Sequence, residues 1–220
     1  MPSRPDRLVA VLGTGTGVGK TWTAAAALRA LVRDGAAAVA RKPVQSFHPD
    51  DPAPDASVLA GAGGERPDDV CPRQRWYELP LAPPMAADAL GRPPFTVADL
   101  VAELSWPEGM EVGLVETVGG PRSPVAADGD STDLAAALAP DLYLLVADAG
   151  LGAINAVRQS AASLAPGLRG PNADPGGPPL IVFLNRFAGT DADRRNREWL
   201  SGEGFEIVTK VASLATRLRR

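Results

Sequence analysis

Nine residues near the N-terminus have the composition of a loop that binds phosphate groups. The apolar run Leu8–Leu12 is followed by the sequence GTGTGVGKT, residues 13–21. Glycines let backbone N–H groups approach phosphate oxygens closely, and a helix that begins near Gly19 adds the positive end of its dipole. In loops of this kind the ammonium of Lys20 reaches the β- and γ-phosphates, and the hydroxyl of Thr21 ligates Mg²⁺. The sequence therefore predicts a nucleotide phosphate site here.

The loop departs at one position from the strict P-loop pattern. That pattern has a glycine at position 14, where this sequence has Thr14, and the glycine stands one residue earlier, at Gly13. The context agrees with the motif, because an apolar strand precedes the loop and the Ala- and Leu-rich segment Lys20–Asp34 predicts a helix after it. We expect a phosphate-binding loop despite the shifted glycine.

Lysine is rare in this chain, which makes its positions informative. There are three lysines, Lys20, Lys42 and Lys210, against 19 arginines. A lysine in such a sequence indicates a site that needs a compact ammonium rather than a planar guanidinium. Lys42 lies at the end of the second predicted strand, Ala36–Pro43, so two ammonium groups are expected at neighbouring strand ends. Such a pair suits a ligand with more negative charge than a nucleotide alone; the alternative is a surface lysine beside a proline turn.

Polar residues also end or directly follow the three remaining predicted strands. Glu116 ends the strand Glu111–Glu116 and is followed by TVGG. A carboxylate at this place in a P-loop fold commonly holds Mg²⁺, and the glycines let the backbone approach a second ligand. The strand Asp141–Ala147 leads through DAGLGAIN into a helix, whose N-terminus suits a carboxylate or a phosphate. The strand Leu180–Asn185 ends in an amide able to bond a nucleobase. Taken alone, the last two features also fit ordinary turns.

The alternation of strands and helices predicts an α/β fold. The predicted strands are apolar throughout rather than at every second position, which is typical of a parallel sheet with helices on both faces. Ligands of such sheets bind at the carboxyl ends of the strands. No repeat or linker divides the chain, so we expect a single domain over residues 1–220. Further helices are predicted at Ala56–Ala62, Thr96–Leu104, Ser131–Ala139, Asn155–Leu164 and Asp191–Leu200, with a loop at Ser46–Pro54 and long irregular segments at Gly63–Pro84 and Ala165–Pro179.

Composition argues against several classes of function. The net charge of −4 argues against nucleic acid as a partner. A single cysteine, Cys71, and a single histidine, His48, argue against a disulfide framework and against clustered Cys or His metal ligands. No apolar run approaches the ~20 residues of a membrane span, and the N-terminus lacks a signal-peptide profile. We therefore expect a cytoplasmic protein with no membrane partner.

Together, the segments at the strand ends resemble the dethiobiotin synthetase family. GTGTGVGKT, KPVQS, VETVGG, AGLGAIN and FLNRF occur in that family's order and approximate spacing over most of the chain, and KPV after a strand is the most discriminating of them. The resemblance implies a homodimeric P-loop NTPase fold that acts on 7,8-diaminopelargonate, CO₂ and ATP with Mg²⁺. The implied reaction closes the ureido ring of dethiobiotin, in biotin biosynthesis, through a carbamate and a carbamic–phosphoric anhydride.

The resemblance also implies catalytic residues and metal ligands. The implied catalytic residues are Lys20 and Lys42. The implied Mg²⁺ ligands are Thr21, Glu116 and an aspartate that follows the second strand. Asp55 fits the aspartate position best, and Asp50 and Asp51 are alternatives.

Other positions are implied to bind the nucleotide and the diamine. The remaining nucleotide-binding residues are Thr16, Gly17, Val18, Gly19 and Asn185. The diamine-binding residues are Ser46, Gly119, Gly150, Leu151, Gly152 and Asn155. The segment 150–155 is implied to hold the carboxylate tail of the partner subunit's substrate, and we expect it to lie across the sheet from the first loop. The family's Gly-x-Ile-Pro segment, which frames the base, has no clear match in residues 206–214.

Other functions of P-loop folds fit this sequence less well. A partition-type ATPase switch protein has an additional lysine early in the loop, where this chain has GTGT. An amidoligase of the cobyrinate type needs a glutaminase domain, for which 220 residues leave no room. A related ligase for another diamine stays open, because Thr117 and Val118 are bulkier than the family's usual residues and Met85 stands where a histidine is common.

Overall fold

The computed structural model describes residues 4–164 and 177–220. The strands in these ranges are β1 (Arg7–Gly13), β2 (Ala38–Arg41), β3 (Gln45–Ser46), β4 (Trp76–Tyr77), β5 (Val112–Glu116), β6 (Pro124–Ala126), β7 (Gly129–Asp130), β8 (Leu142–Asp148), β9 (Leu180–Asn185) and β10 (Glu206–Val208). Six of them form a parallel sheet in the order β10-β9-β8-β1-β5-β2. The other four form the short pairs β3-β4 and β6-β7.

Helices cover both faces of the sheet. They are α1 (Lys20–Arg33), α2 (Asp55–Gly63), α3 (Pro67–Val70), α4 (Pro83–Ala89), α5 (Val97–Ala102), α6 (Ser131–Ala137), α7 (Ala153–Leu164), α8 (Asp191–Gly202) and α9 (Val211–Arg219). Alternate residues of β1 face opposite layers, since Val9 and Val11 pack in one buried cluster and Ala10 and Leu12 in another. The first cluster includes α1, α2 and α9, and the second includes α7 and α8. The predicted α/β fold, a parallel sheet with helices on both faces, is confirmed.

Local sequence signals set several helix boundaries. Gly35 follows α1 with a φ angle of 81°, a left-handed conformation that favours glycine and ends the helix. Thr96 caps α5 as predicted: its side chain accepts a hydrogen bond from the backbone N–H of Asp99, whose carboxylate in turn accepts from the backbone N–H of Thr96.

Several parts of the fold differ from the sequence-based expectation. The segment Gly63–Pro84 is not irregular, because it contains α3, the 3₁₀ turn Arg73–Arg75, β4 and the beginning of α4. Its two-residue strand β4 pairs with β3, so Ser46 belongs to a strand rather than a loop. Strands this short carry no hydrophobic period, and a distant partner rather than local sequence determines them. The predicted loop Ala165–Pro179 lies, as far as residue 176, outside the described residues.

The strand order brings the polar strand ends together. β1 lies between β5 and β8, and β2 pairs with the far side of β5. The carboxyl ends of β2, β5, β1 and β8 are therefore neighbours along one edge of the sheet. The turn after β8 lies beside the loop after β1, and not across the sheet from it as the sequence led us to expect.

Candidate active site

The loop after β1 folds around the side chain of Lys20. The Nζ atom of Lys20 donates hydrogen bonds to the carbonyl oxygen of Gly15 at 3.0 Å and to that of Gly119 at 2.7 Å. A Cβ atom at Gly13 would lie 2.8 Å from Cγ of Lys20, which explains why a glycine ends β1. Gly19, with a φ angle of 93°, directly precedes α1. The ammonium thus joins the first loop to the loop after β5, at the N-terminus of α1, where an anion is favoured.

Burial makes Lys20 an unusually acidic ammonium. Burial and the nearby charge of Lys42 lower the pKa of Lys20 to about 8, against the opposing effect of Glu116 and Asp55. An anionic ligand at this position would favour the charged form. Binding of phosphate groups would therefore raise the pKa of Lys20 and restore its positive charge.

Three oxygen-bearing side chains from different elements converge next to this loop. Thr21 lies in the first turn of α1, Asp55 begins α2 and Glu116 ends β5. The Oγ1 atom of Thr21 is 2.7 Å from Oδ1 of Asp55 and 2.9 Å from Oε1 of Glu116. One hydroxyl proton serves only one of these two acceptors. One of the two carboxylate oxygens therefore lies within hydrogen-bond distance of Thr21 Oγ1 without receiving its proton.

Lys42 is buried against both carboxylates. Its Nζ atom lies 2.6 Å from Oε1 of Glu116 and 2.7 Å from Oδ2 of Asp55, and it donates a hydrogen bond to the carbonyl oxygen of Thr117 at 3.1 Å. Lys42 is 1% exposed, which excludes the surface position that was the alternative interpretation of its sequence. Burial alone would lower the pKa of Lys42, but the two carboxylates outweigh it and raise that pKa above its ordinary value. Lys42 is therefore a buried, charged group.

The donor set fits Mg²⁺. One hydroxyl and two carboxylates are hard oxygen ligands, and Mg²⁺ in proteins is usually held by one or two carboxylates together with phosphates and water. The Oε2 atom of Glu116 is buried without a hydrogen-bond partner in the described part of the chain, an arrangement that a cation would relieve. Within residues 4–164 and 177–220 there is no group of three or more His, Cys, Asp or Glu side chains that could hold a metal, so Thr21 and a bound phosphate would have to complete the site.

The structure separates the three aspartates that the sequence left as metal-ligand candidates. Asp55 lies with Thr21 and Glu116. Asp50 lies in an exposed loop with its Oδ2 atom 3.6 Å from Nδ1 of His48, and Asp51 accepts a hydrogen bond from the backbone N–H of Ala53 at 3.0 Å. Of the three, Asp55 is the one that belongs to the charged cluster, which consists of Lys20, Thr21, Lys42, Asp55 and Glu116.

The loop after β5 approaches the first loop through its glycines. Gly119 has a φ angle of 56°, and a Cβ atom there would lie 2.1 Å from Oγ of Ser123. The Thr117 side chain is turned into the protein, where its hydroxyl donates to the carbonyl oxygen of Val11 at 3.4 Å, and Val118 packs against a buried cluster with α5 and α6. The side chain of Thr117 is therefore buried, and that of Val118 is partly buried.

A cleft of about 470 Å³ lies on the other side of the first loop. Asn185 lines it and donates a hydrogen bond from Nδ2 to the carbonyl oxygen of Val18 at 2.9 Å. A Cβ atom at Gly19 would lie 2.1 Å from the same Nδ2 atom. The remaining lining residues are Trp22, Phe183, Leu184, Arg186, Phe187, Thr209 and Val211. The segment 206–214, in which the sequence showed no base-framing motif, thus contributes a wall of this cleft.

The turn after β8 is exposed and tied to the first loop by Arg186. Leu151 is fully exposed, Asn155 is exposed, and Gly152 has a φ angle of 92°. The Arg186 guanidinium lies 2.6 Å from Oδ2 of Asp148 and donates to the carbonyl oxygen of Gly17 at 2.9 Å. The predicted diamine-binding residues Gly150, Leu151, Gly152 and Asn155 therefore lie together beside the first loop, but outside the charged cluster.

Ser46 and Cys71 make contacts away from the charged cluster. The hydroxyl of Ser46 donates a hydrogen bond to the carbonyl oxygen of Leu81 at 2.6 Å, so this predicted substrate residue is engaged with the chain itself. Cys71 is buried and burial raises the pKa of its thiol, which leaves it unsuited to nucleophilic chemistry.

None of the helices in the described ranges has the length and apolar character needed to cross a membrane.

Comparisons with known proteins agree with this geometry. Residues 7–170 match the family described as an AAA domain. The ATP-dependent dethiobiotin synthetase of Xanthomonas axonopodis pv. citri is 36% identical over 159 residues, which cover 70% of each chain. The chain belongs to the dethiobiotin synthetase family. The dethiobiotin synthetases of Anaeromyxobacter dehalogenans and Caulobacter vibrioides are 41% and 42% identical, and this chain spans 65% and 66% of their lengths.

Solved structures support the fold alone. A plasmid partition protein from Borrelia burgdorferi has a TM-score of 0.54 and 10% identity, with 98% of this chain and 97% of that chain covered. A putative plasmid partition protein from the same species, bound to AMPPNP, has a TM-score of 0.51 and 12% identity, with 98% and 89% covered. These similarities confirm the P-loop NTPase fold that the sequence predicted for this dethiobiotin synthetase family member.

Sequence reasoning missed three residues that the structure places at the site of this dethiobiotin synthetase family member. Trp22 follows the P-loop directly and is 54% exposed at the cleft. Arg186 follows Asn185, and Gln45 stands inside the KPVQS segment. Each of them lies within or directly after one of the motifs named from the sequence, and this position was the signal that could have identified them.

Proposed function

We propose that the protein is an ATP-dependent ligase that closes the ureido ring of dethiobiotin from 7,8-diaminopelargonate and CO₂. The observation that carries the proposal is the position of Lys42, buried between Asp55 and Glu116 and next to Lys20 of the phosphate-binding loop. Two ammonium groups beside one phosphate loop suit a reaction that brings a second anion to the γ-phosphate. The identity of 36–42% to dethiobiotin synthetases supports this choice of reaction.

The proposed reaction gathers negative charge at one point. One amine of the substrate adds to CO₂ and loses a proton, which gives a carbamate anion. A carbamate oxygen attacks the γ-phosphorus of ATP, ADP leaves, and a carbamic–phosphoric anhydride forms. The second amine attacks the carbonyl carbon and loses a proton to solvent, phosphate leaves with the electron pair of the broken C–O bond, and the five-membered ring closes. Because each step concentrates charge, positioning and electrostatic stabilisation supply the catalysis.

The residues of the charged cluster have different roles in this proposed reaction. Lys20 turns from the carbonyl oxygens of Gly15 and Gly119 to the phosphates, and its pKa of about 8 rises as it does so. Lys42 holds a positive charge where carbamate and γ-phosphate meet, and its burial excludes water from that charge. Backbone N–H groups of residues 16–21 bind the phosphate oxygens.

The metal and the base have separate sites in this proposal. Mg²⁺ would be held by Thr21, Asp55 and Glu116, and when bound it would neutralise phosphate charge during transfer. The nucleobase enters the cleft lined by Asn185 and Trp22.

The diamine site is proposed to span two subunits of a homodimer. Gly150–Asn155 would hold the carboxylate tail of the partner's substrate. Leu151 supports this, because a fully exposed leucine at the tip of a turn is suited to burial against another protein surface. The turn and the first loop follow neighbouring strands, so a two-fold axis near the turn would bring one subunit's turn to the other's phosphate site.

The proposal is tested with the purified protein, 7,8-diaminopelargonate, bicarbonate labelled with ¹³C, ATP and Mg²⁺. Mass spectrometry should detect dethiobiotin one mass unit heavier than the unlabelled compound, with one ADP and one phosphate released for each molecule formed. The Lys42→Arg variant serves as a control for contaminating activity. ATP hydrolysis that is independent of the diamine, without labelled product, would contradict the proposal and favour a switch ATPase.

A further inference from the structure

Gln45 is a buried amide beside the start of α2, and the proposed function leaves it without a role. It lies in β3 and is 1% exposed. Its Oε1 atom accepts a hydrogen bond from the backbone N–H of Ala56 at 2.9 Å. Its Nε2 atom is buried with no hydrogen-bond partner among the described residues. An unpaired buried N–H is costly, so within the part of the chain that the structure describes it is the contact made by Oε1 that accounts for an amide at this position.

The first turn of α2 needs an acceptor from outside the helix. The initial N–H groups of any helix lack an intrahelical partner. Pro54 precedes α2 and provides no side-chain cap, so Gln45 supplies an acceptor for Ala56 from a different strand. Residues 48–53, which lead into the helix, are exposed and offer little packing. The hydrogen bond from Ala56 therefore adds a directional contact to the core packing of Ala56 and Leu59 at the beginning of α2.

Asp55 is the residue whose position depends on this helix start. It directly precedes Ala56, and its carboxylate contacts both Thr21 and Lys42 at 2.7 Å. A small displacement of the first turn would move both carboxylate oxygens. Mg²⁺ tolerates such displacement poorly, because it demands near-ideal octahedral geometry.

We propose that Gln45 is a positioning residue, whose hydrogen bond with the Ala56 N–H holds the Asp55 carboxylate in place as a Mg²⁺ ligand. The inference rests on the proposed function for the presence of the metal. Gln45 also lies three residues after Lys42, so one short segment supplies both the cation that pairs with Asp55 and the acceptor that orients the helix carrying it.

The Gln45→Met variant tests this, because methionine keeps the length of the side chain and removes the acceptor. Mn²⁺ binding in the presence of ADP, measured by electron paramagnetic resonance, should weaken about tenfold, or about 1.4 kcal/mol. ADP binding in EDTA should stay unchanged, and the Mg²⁺ concentration for half-maximal activity should rise while turnover at saturating Mg²⁺ recovers. Unchanged Mn²⁺ affinity would overturn the proposal.

Two controls separate positioning from general stability. Leu59→Val removes a buried methylene group from the same helix, so it should lower the melting temperature and leave Mn²⁺ affinity unchanged. In an Asp55→Asn background, Gln45→Met should cause no further loss of Mn²⁺ affinity, because the residue through which it acts is gone. An equal loss in Leu59→Val, or an additive loss in the double variant, would contradict a role through Asp55.

A second variant and the behaviour of the wild-type protein distinguish failure of the Gln45 proposal from failure of the proposed reaction. If Gln45→Met fails to fold, Gln45→Asn withdraws the amide by one methylene group and should show the same loss of metal affinity. Wild-type protein that binds Mn²⁺ and ADP but forms no dethiobiotin would refute the proposed reaction and leave the metal titration of the variants fully interpretable.

Discussion

The Nζ atom of Lys42 lies 2.6 Å from Oε1 of Glu116, although the two residues are 74 positions apart in the chain and each is 1% exposed. They meet because β2 and β5 are parallel neighbours whose carboxyl ends lie side by side. A buried ammonium with two carboxylates, Glu116 and Asp55, is locally balanced by negative charge before any ligand binds. A metal ion at these carboxylates would compete with Lys42 for them and free its charge for the substrate.

Replacement of Lys42 should separate its catalytic role from its structural one. Lys42→Arg keeps the charge, but a larger planar group in a fully buried space cannot keep both carboxylate contacts. Turnover should fall by roughly 10²-fold or more, as when a donor that stabilises transition-state charge is lost. Initial rates at saturating substrates provide the measurement, and near-normal rates would remove Lys42 from the catalytic residues.

Removal of the Lys42 charge should make stability depend on the metal. Lys42→Met leaves the buried carboxylate of Glu116 and the partly exposed carboxylate of Asp55 without their ammonium, which should cost roughly 3–5 kcal/mol of stability. Mg²⁺ should then raise the melting temperature of the variant more than that of the wild type, because the metal replaces part of the lost positive charge. A variant whose melting temperature does not respond to Mg²⁺ would argue against a metal site at Asp55 and Glu116.

The lowered pKa of Lys20 predicts a pH dependence of phosphate binding. With a pKa of about 8 in the free protein, Lys20 is largely neutral at pH 9. Binding of a phosphate anion to the ammonium form at this pH therefore requires that Lys20 first takes up a proton. Affinity for tripolyphosphate in EDTA should therefore fall as the pH rises above 8, by up to about tenfold per unit, with uptake of up to one proton. Calorimetry in two buffers of different ionisation enthalpy measures this uptake. Lys20→Met should show none, and equal proton uptake in that variant would assign it to another group.

The sequence predicted those parts of the site that depend on local motifs. The glycines and Lys20 of the first loop, and the strand ends at Glu116 and Asn185, follow from patterns within a few residues. Asp55 was ambiguous because the exposed loop that precedes it contains two further aspartates, Asp50 and Asp51. Gln45 and Arg186 were missed because their importance lies in contacts with Ala56, 11 residues away, and with Gly17, 169 residues away. The position of the turn after β8 was predicted wrongly because local sequence patterns do not determine the order of strands in a sheet.

The cleft predicts broad use of nucleotides. Trp22 offers an aromatic surface at the cleft, and stacking on such a surface tolerates every base. Asn185 adds one or two hydrogen bonds, each worth about 0.5–1.5 kcal/mol net. We expect GTP and CTP to replace ATP with losses in affinity of about tenfold, since the triphosphate dominates binding.

A variant of Trp22 isolates the contribution of the base. Trp22→Ala should weaken all four nucleoside triphosphates by about tenfold and leave tripolyphosphate unaffected. Trp199→Ala is the matched control, because Trp199 is also exposed, at 60%, and does not line the cleft. A preference for ATP above about a hundredfold, near 2.7 kcal/mol, would instead assign base reading to the wall formed by Thr209 and Val211.

Mixing of inactive subunits tests the proposed shared site. Lys20→Ala inactivates the phosphate half of a site, and Asn155→Ala inactivates the half contributed by the exposed turn. If each site combines the loop of one subunit with the turn of its partner, a heterodimer of the two variants contains one intact site and one doubly defective site. Random pairing of equal amounts should then restore about a quarter of wild-type activity, since half of the dimers are mixed.

The control pairs two variants from the same half of the site. Lys20→Ala mixed with Lys42→Arg should restore nothing, because both residues lie in the charged cluster of one subunit and each site of the mixed dimer keeps one defect. Differently tagged subunits, purified over two columns, establish that mixed dimers are present in both experiments. Recovery in neither mixture would place Asn155 outside the partner's site, whereas equal recovery in both would point to exchange or contamination rather than to a site built from two chains.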